Sequence, residues 1–245
     1  MKKVFIILLS MGHLIVFAQD KFETQNDSLQ KPIKLNEVIV EATRASENAP
    51  FAVTNFKKEA IQERNLGQDI PILVNYLPNV VITSDAGAGI GYTGIRVRGS
   101  DATRVNVTIN GIPLNDSESH GTYWVNLPDL ASSTQSIQLQ RGVGTSTNGA
   151  GAFGASLNLL TDGISEKASA EISKGYGSFD TYKYTIIANT GIINNHFEFS
   201  GRLSEIKSDG YIDRASSDLN SYYVSGTFFN DKTMIKGIGF GGHEV

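Results

Sequence analysis

Ile95-Arg96-Val97-Arg98-Gly99, Val105-Asn106-Val107-Thr108-Ile109-Asn110-Gly111-Ile112-Pro113, Ile137-Gln138-Leu139-Gln140-Arg141-Gly142 and Ser156-Leu157-Asn158-Leu159-Leu160-Thr161 follow one another between positions 95 and 161. In each, apolar residues recur at every second place, the period of a strand with one buried face. Asn110-Gly111 is hairpin-turn chemistry, and Arg98-Gly99 and Arg141-Gly142 end their strands on a glycine. The run Gly149-Ala150-Gly151-Ala152-Phe153-Gly154-Ala155 precedes the last segment and lets backbone pass close to backbone. Short strands broken by tight turns therefore predict a compact sheet domain, and the rest of the chain is read from it.

Upstream, Phe51-Ala52-Val53-Thr54-Asn55-Phe56 reads as a strand and Lys57 to Asn65 as a short helix that Gly67 stops. Asp69 to Leu77 reads as a second short helix, with Pro71 tolerated in its first turn and Pro78 ending it. Pro78-Asn79 then turns into the strand Val80-Val81-Ile82, with Asn79 suited to a positive φ. Two loops without apolar period interrupt the strands. Ser84 to Gly94 contains Gly87-Ala88-Gly89-Ile90-Gly91, which superficially resembles a dinucleotide fingerprint but leads into a strand instead of a helix and has no Walker lysine. Leu114 to Trp124 gathers Asn115, Asp116, Ser117, Glu118, Ser119, His120, Tyr123 and the only tryptophan. Alternate loop residues such as Asp116, Glu118 and His120 seldom converge on a metal, and Ser117 or Ser119 beside His120 lacks both a nucleophile elbow and an orienting acid.

The chain has 245 residues, a formal net charge of −4 and a sequence pI near 5.6, with no clustered basic residues, which argues against nucleic-acid binding. It has no cysteine, so thiolate metal sites, thiol nucleophiles and disulfides are excluded. At the N-terminus Lys2 and Lys3 precede a mostly apolar stretch, Val4 to Phe17, and Val16-Phe17-Ala18 offers a signal-peptidase site. Residues 1–18 therefore read as a signal peptide, the alternative being a buried N-terminal helix. Residues 20–35 are polar and read as a flexible linker. Asn36 to Arg44 is a short alternating segment, on its own an ordinary edge strand.

After Thr161 the strands lengthen. Ala168 to Tyr176, Tyr182 to Thr190, His196 to Lys207, Tyr222 to Phe229 and Thr233 to Phe240 each have the length of a tilted membrane-crossing strand, although a soluble β-sandwich would alternate in the same way. Connections near 191–195 and 230–232 are short, and Ser208 to Ser221 reads as a long polar loop.

Taken in order, these pieces resemble the plug domain of TonB-dependent outer-membrane receptors, with its I-R-G segment, D-G-x-P turn, R-G segment, Gly-Ala run and closing strand. The resemblance covers roughly residues 35–245. It implies an α+β plug domain, a mixed sheet with short helices over 49–162, followed from 163 by the first strands of an antiparallel transmembrane β-barrel. Five strands cannot close around a plug, for which about 22 are needed, so the chain reads as the N-terminal part of a receptor. Residues 19–48 would be the linker, and Glu37, Val38, Ile39, Val40, Glu41 and Ala42 the TonB box, an unpaired segment that adds as a strand to a TonB-type partner. Glu41 departs from the Thr or Ser usual there. Arg98 and Arg141 would latch the plug to barrel carboxylates. Tyr92, Asn115, Asp116, Glu118, His120, Tyr123 and Trp124, on the two raised loops, would meet a small nutrient ligand, an iron chelate above all, or else pack against the barrel wall. The aromatics Tyr176, Phe179, Tyr182, Tyr184, Phe197 and Tyr222 would join the interfacial girdles. The same resemblance implies no enzyme activity, no cofactor, and a place in the outer membrane of a Gram-negative bacterium, in contact with its lipid. An exported β-rich ligand-binding or adhesion protein without transport is the competing reading.

Overall fold

The computed structural model describes residues 44–46, 50–144, 148–149 and 151–245. The expected signal peptide and the segment Glu37 to Ala42 lie outside them. The first sheet has the order β1 (Ala52–Lys57), β6 (Thr134–Arg141), β7 (Ala155–Thr161), β4 (Val105–Ile109), β5 (Ile112–Pro113). It is antiparallel except that β4 runs parallel to β7. A separate hairpin pairs β2 (Val80–Ser84) with β3 (Thr93–Val97).

Alternation along these strands builds two different faces. Phe56, Ile137, Leu139, Leu157, Leu159, Val105, Val107 and Ile109 form the apolar face and pack with Ile61 of helix α1 (Lys58–Arg64) and with Ile70 and Leu73 of α2 (Ile70–Leu73). The other face carries Gln138, Gln140, Ser156, Asn158, Asn106 and Thr108, all buried and polar. Asn110 and Gly111 take φ of 51° and 81°, the left-handed pair of a tight hairpin. The Asn110 side chain also accepts the Thr161 N–H at 2.9 Å, tying the turn to the end of β7. Asn79 has φ 64°, as its place after Pro78 predicts. Gly154 lies so close to the Ser100 side chain that no Cβ fits. The second helix is shorter than expected, ending at Leu73. Val74 to Leu77 continues as turns closed by three-residue bonds, such as Leu77 N–H to the Val74 carbonyl at 3.1 Å, because this stretch tightens into a 3-10 path.

The second sheet is a meander of β8 (Ala168–Tyr176), β9 (Tyr182–Thr190), β10 (Phe197–Ser208), β11 (Ser217–Phe229) and β12 (Met234–Glu244), open at β8 and β12. The first two strands have the expected bounds. β11 starts earlier and β12 ends later than the sequence reading has them, and the loop shrinks to 209–216. Ser217 to Ser221 pairs residue by residue with Ser208 to Ser204, and its hydroxyl-rich side chains hid the strand from a search for apolar alternation. The burial of this sheet is inverted. Lys183, Thr185, Arg202, Ser204, Tyr223 and Thr227 are buried on the face toward the first sheet, while Ile172, Ile186, Phe199, Leu203, Val224 and Ile235 are exposed on the other. Polar-in and apolar-out is the pattern of a plugged barrel wall and the reverse of a soluble sandwich.

β7 ends at Thr161 and delivers the chain to this wall. Lys236 of β12 reaches Thr161 and Asp162, so the turns 191–196 and 230–233 lie at that end of the wall, and the connections 177–181 and 209–216 lie at the opposite, far end.

Candidate functional site

Both raised loops lie at the far end and share one root. Ile90 from the first and Val125 from just beyond the second pack with Ile206 and Leu219 of the wall. The first loop is held on the wall side by the N–H groups of Tyr211 and Ile212, which both donate to the Ala86 carbonyl at 2.8 and 3.2 Å. On the plug side Asp69 holds it: its N–H donates to the Gly89 carbonyl at 3.0 Å and its carboxylate accepts the Thr93 hydroxyl at 2.7 Å. Asp69 is 6% exposed, and burial pushes its carboxyl up to about 7, with the Thr93 bond opposing. Tyr92 stands out at 58% exposure above buried Gly89 to Gly91.

In the second loop Asp116 turns the chain, its carboxylate accepting the N–H groups of Glu118 and Ser119 at 3.0 and 2.7 Å. The Ser119 contacts, then that to Glu118, hold its carboxyl below the ordinary range. Asn115 is a brace: it accepts the Val107 N–H at 2.7 Å and donates to the Val105 and His120 carbonyls. His120 closes the turn at φ 58°. Asp116, Glu118, His120 and Tyr123 are exposed, so the loop presents two carboxylates, an imidazole and a phenol to solvent. Trp124, placed by sequence with this ligand set, is instead 3% exposed in the core of the first sheet, because the 3-10 turn Trp124–Asn126 rolls it inward. Phe179 likewise stacks edge-on against Tyr211, ring centroids 5.5 Å apart, at the far end of the wall. Among the described residues no three His, Asp or Glu side chains gather as a metal site.

Arg98 and Arg141 come together where β3 and β6 end. Arg98 sits in a left-handed turn with φ 52°, and its Nη1 reaches over Gly142, the neighbour of Arg141, where a Cβ would stand 2.7 Å away. Arg141 buries an Nη1 that has no hydrogen-bond partner among the described residues.

The firmest contact between the first domain and the wall is one the sequence reading missed, and its polarity is the opposite of the arginine latch. The carboxylate of Asp129, fully buried and at φ 52°, meets Lys183 Nζ of β9 at 2.6 Å. That ammonium also donates to Asn65 Oδ1 at 3.2 Å and Ser132 Oγ at 3.1 Å, so its three protons have three plug acceptors. The other carboxylate oxygen accepts the hydroxyls of Thr185 and Ser204 at 2.8 and 2.7 Å, with Arg202 Nη1 at 3.8 Å. Burial alone would raise the Asp129 carboxyl, but Lys183 and Arg202 outweigh it and hold it below the ordinary value. The Lys183 stem runs past Gly67, where φ 105° and a contact of 3.4 Å both favour glycine. Pro128-Asp129 between Leu127 and Leu130 was the only signal: a carboxylate inside an apolar run calls for a partner.

The model of the TonB-dependent Receptor Plug Domain family matches residues 45–156. The siderophore receptor PirA from Acinetobacter baumannii is 24% identical over 179 residues, 68% of this chain and 24% of that protein. Its crystal structure superposes with a TM-score of 0.62 at 16% identity, covering 78% of this chain and 31% of that one. The ferric yersiniabactin uptake receptor FyuA from Yersinia pestis gives 0.64 at 17% identity, covering 84% of this chain and 33% of that one. A copper transporter, OprC, gives 0.66 at 14% identity, with 82% and 32% covered. The chain thus spans about a quarter to a third of the length of these proteins. Residues 45–156 are thus a plug domain of the TonB-dependent receptor kind, followed by an antiparallel wall that is polar toward it.

Proposed function

We propose that this chain serves energy-coupled uptake of a scarce nutrient across the outer membrane of a Gram-negative bacterium, with a ferric siderophore or another iron chelate as the cargo. The observation that carries the reading is the polar plug pinned inside a wall whose other face is apolar, because such a wall is stable only with lipid on that face. The apolar band ends in aromatic pairs, Phe197 against Phe228 at one end and Tyr182 against Tyr184 at the other. Residues 1–18 direct export. Glu37 to Ala42 is the box on which a TonB-type partner pulls, and Arg98 and Arg141 meet wall carboxylates. Tyr92, Tyr123, Asp116, Glu118 and His120 form the plug's share of the ligand surface, beside Tyr211 of the wall. The likeness to the siderophore receptors PirA and FyuA supports the iron-chelate reading.

Uptake of radiolabelled ferric siderophores in iron-starved cells, with and without the gene, tests this function. Loss of uptake for one chelate class on deletion is expected, and unchanged uptake across hydroxamate, catecholate and citrate chelates would exclude iron. Val38→Pro removes a strand donor from the box, so uptake should fall while surface binding of ligand persists.

A further inference from the structure

The chain enters the plug through a contact that none of the readings above uses. Arg44 lies across the buried polar face of the first sheet. Its Nη1 donates to Ser136 Oγ at 2.8 Å, and its Nη2 donates to the backbone carbonyls of Ser136 at 3.0 Å and Asn158 at 2.8 Å. Next to it, Gln138 mimics a strand partner. Its Oε1 accepts the Ala45 N–H at 2.9 Å and its Nε2 donates to the Ala45 carbonyl at 3.0 Å. The same Nε2 donates to Asn55 Oδ1 of β1 at 2.8 Å, which joins this contact to the edge strand. Five hydrogen bonds thus fasten two consecutive residues to β6 and β7, beside the irregularity between Thr134 and Ser136 where the β6–β7 register shifts.

The acceptors of Arg44 are all neutral, and burial lowers the guanidinium to about 10. A half-buried cation held by carbonyls and a hydroxyl regains hydration when it leaves, so the contact is specific in geometry and costs little to open. Arg44 stands two residues beyond Ala42, the last residue of the proposed coupling box. Tension applied there reaches Arg44 and Ala45 before it reaches any strand of the sheet.

We propose that Arg44 and Gln138 are positioning residues forming a release catch, which holds the chain leaving the plug against β6 and β7 until it is pulled. The proposal rests on the reading of Glu37 to Ala42 as the coupling box, but the catch itself is testable without a partner. The Arg44–Ala45 bond is a trypsin site whose arginine is occupied while the catch is closed. In the purified full-length receptor, Gln138→Leu removes both bonds to Ala45 and the one to Asn55 and leaves Arg44 intact, so cleavage after Arg44 should run about tenfold faster than in wild type, with no matching acceleration at sites elsewhere in the plug. Ser136→Ala, a milder change, should give a smaller acceleration of the same kind. Equal cleavage rates in all three proteins overturn the catch. A lowered Tm in both variants, with faster cutting at every site, also overturns it by making the contact merely structural.

A TonB C-terminal fragment added with ligand separates the two readings. Faster cleavage after Arg44 in wild type, abolished by Val38→Pro, supports catch and box together. A fragment that does not bind wild-type receptor removes the coupling reading, and with it the release role, while faster cleavage after Arg44 in the variants alone would still establish the contact.

Discussion

Lys183 and Arg44 are both cations drawn in among plug residues, and the difference between their surroundings separates what stays from what moves. Lys183 comes from the wall, meets the Asp129 carboxylate at 2.6 Å and spends every proton on a plug acceptor. Arg44 comes from the chain entering the plug and meets only neutral oxygens. Removing one partner from a buried ion pair strands the other charge, whereas withdrawing a cation from neutral acceptors returns it to water. The first contact is therefore a seat and the second a catch, although both are polar.

The largest effect should come from breaking the seat. Lys183→Met leaves Asp129 buried with Arg202 at 3.8 Å as its remaining cation, a loss of about 3–5 kcal/mol. In a complete receptor the plug should loosen, and cells should become permeable to large hydrophilic antibiotics at normal surface levels of the protein. Unchanged permeability would reduce the seat to an incidental contact.

Asp69 offers a pH-dependent version of the same test at the first raised loop. Its folded pKa, near 7, lies above the ordinary 3.8. The protonated form is favoured by folding, so its contribution to stability is full below about pH 4 and is lost as pH rises through 7. Hydrogen exchange at residues 84–93 should therefore be slower at pH 5 than at pH 8 after correction for the intrinsic rate. Asp69→Asn should flatten that difference, and an equal slope in the variant would contradict the assignment.

Smaller still is the brace in the second loop. Asn115→Ala leaves the Val107 N–H and the Val105 and His120 carbonyls without this partner, a loss of about 1–3 kcal/mol that should loosen residues 114–123 and weaken ligand binding without changing the plug core. Asp116→Ala, on the exposed turn of the same loop, opens only the turn bonds to Glu118 and Ser119 and should disturb the loop less. If Asp116→Ala weakened ligand binding more than Asn115→Ala, Asp116 would be a direct contact and the brace would matter less.

The plug sheet was legible because its residues obey local rules. Alternation set the strands, Asn110-Gly111 announced a hairpin, and Asn79 announced a positive φ. What the sequence hid depends on partners distant along the chain. Asp129 looks like a loop carboxylate until β9 and β10 bring Lys183, Thr185 and Ser204 around it, 54 to 75 residues away. Trp124 closes a polar loop in the sequence, and only the 3-10 turn shows that it faces the core. The start of β11 was missed because two of its three inward side chains, Ser217 and Ser221, are serines, and Leu219 alone makes no apolar period. Arg44 fell at the end of a segment read only for its alternation.

Hydrogen exchange on the complete receptor in membranes tests the division into seat and catch most directly, comparing residues 44–57 with residues 127–134 before and after addition of ligand and a TonB fragment. The account predicts faster exchange in 44–57 with 127–134 still protected. Loss of protection at 127–134 first, or in both segments together, would contradict it.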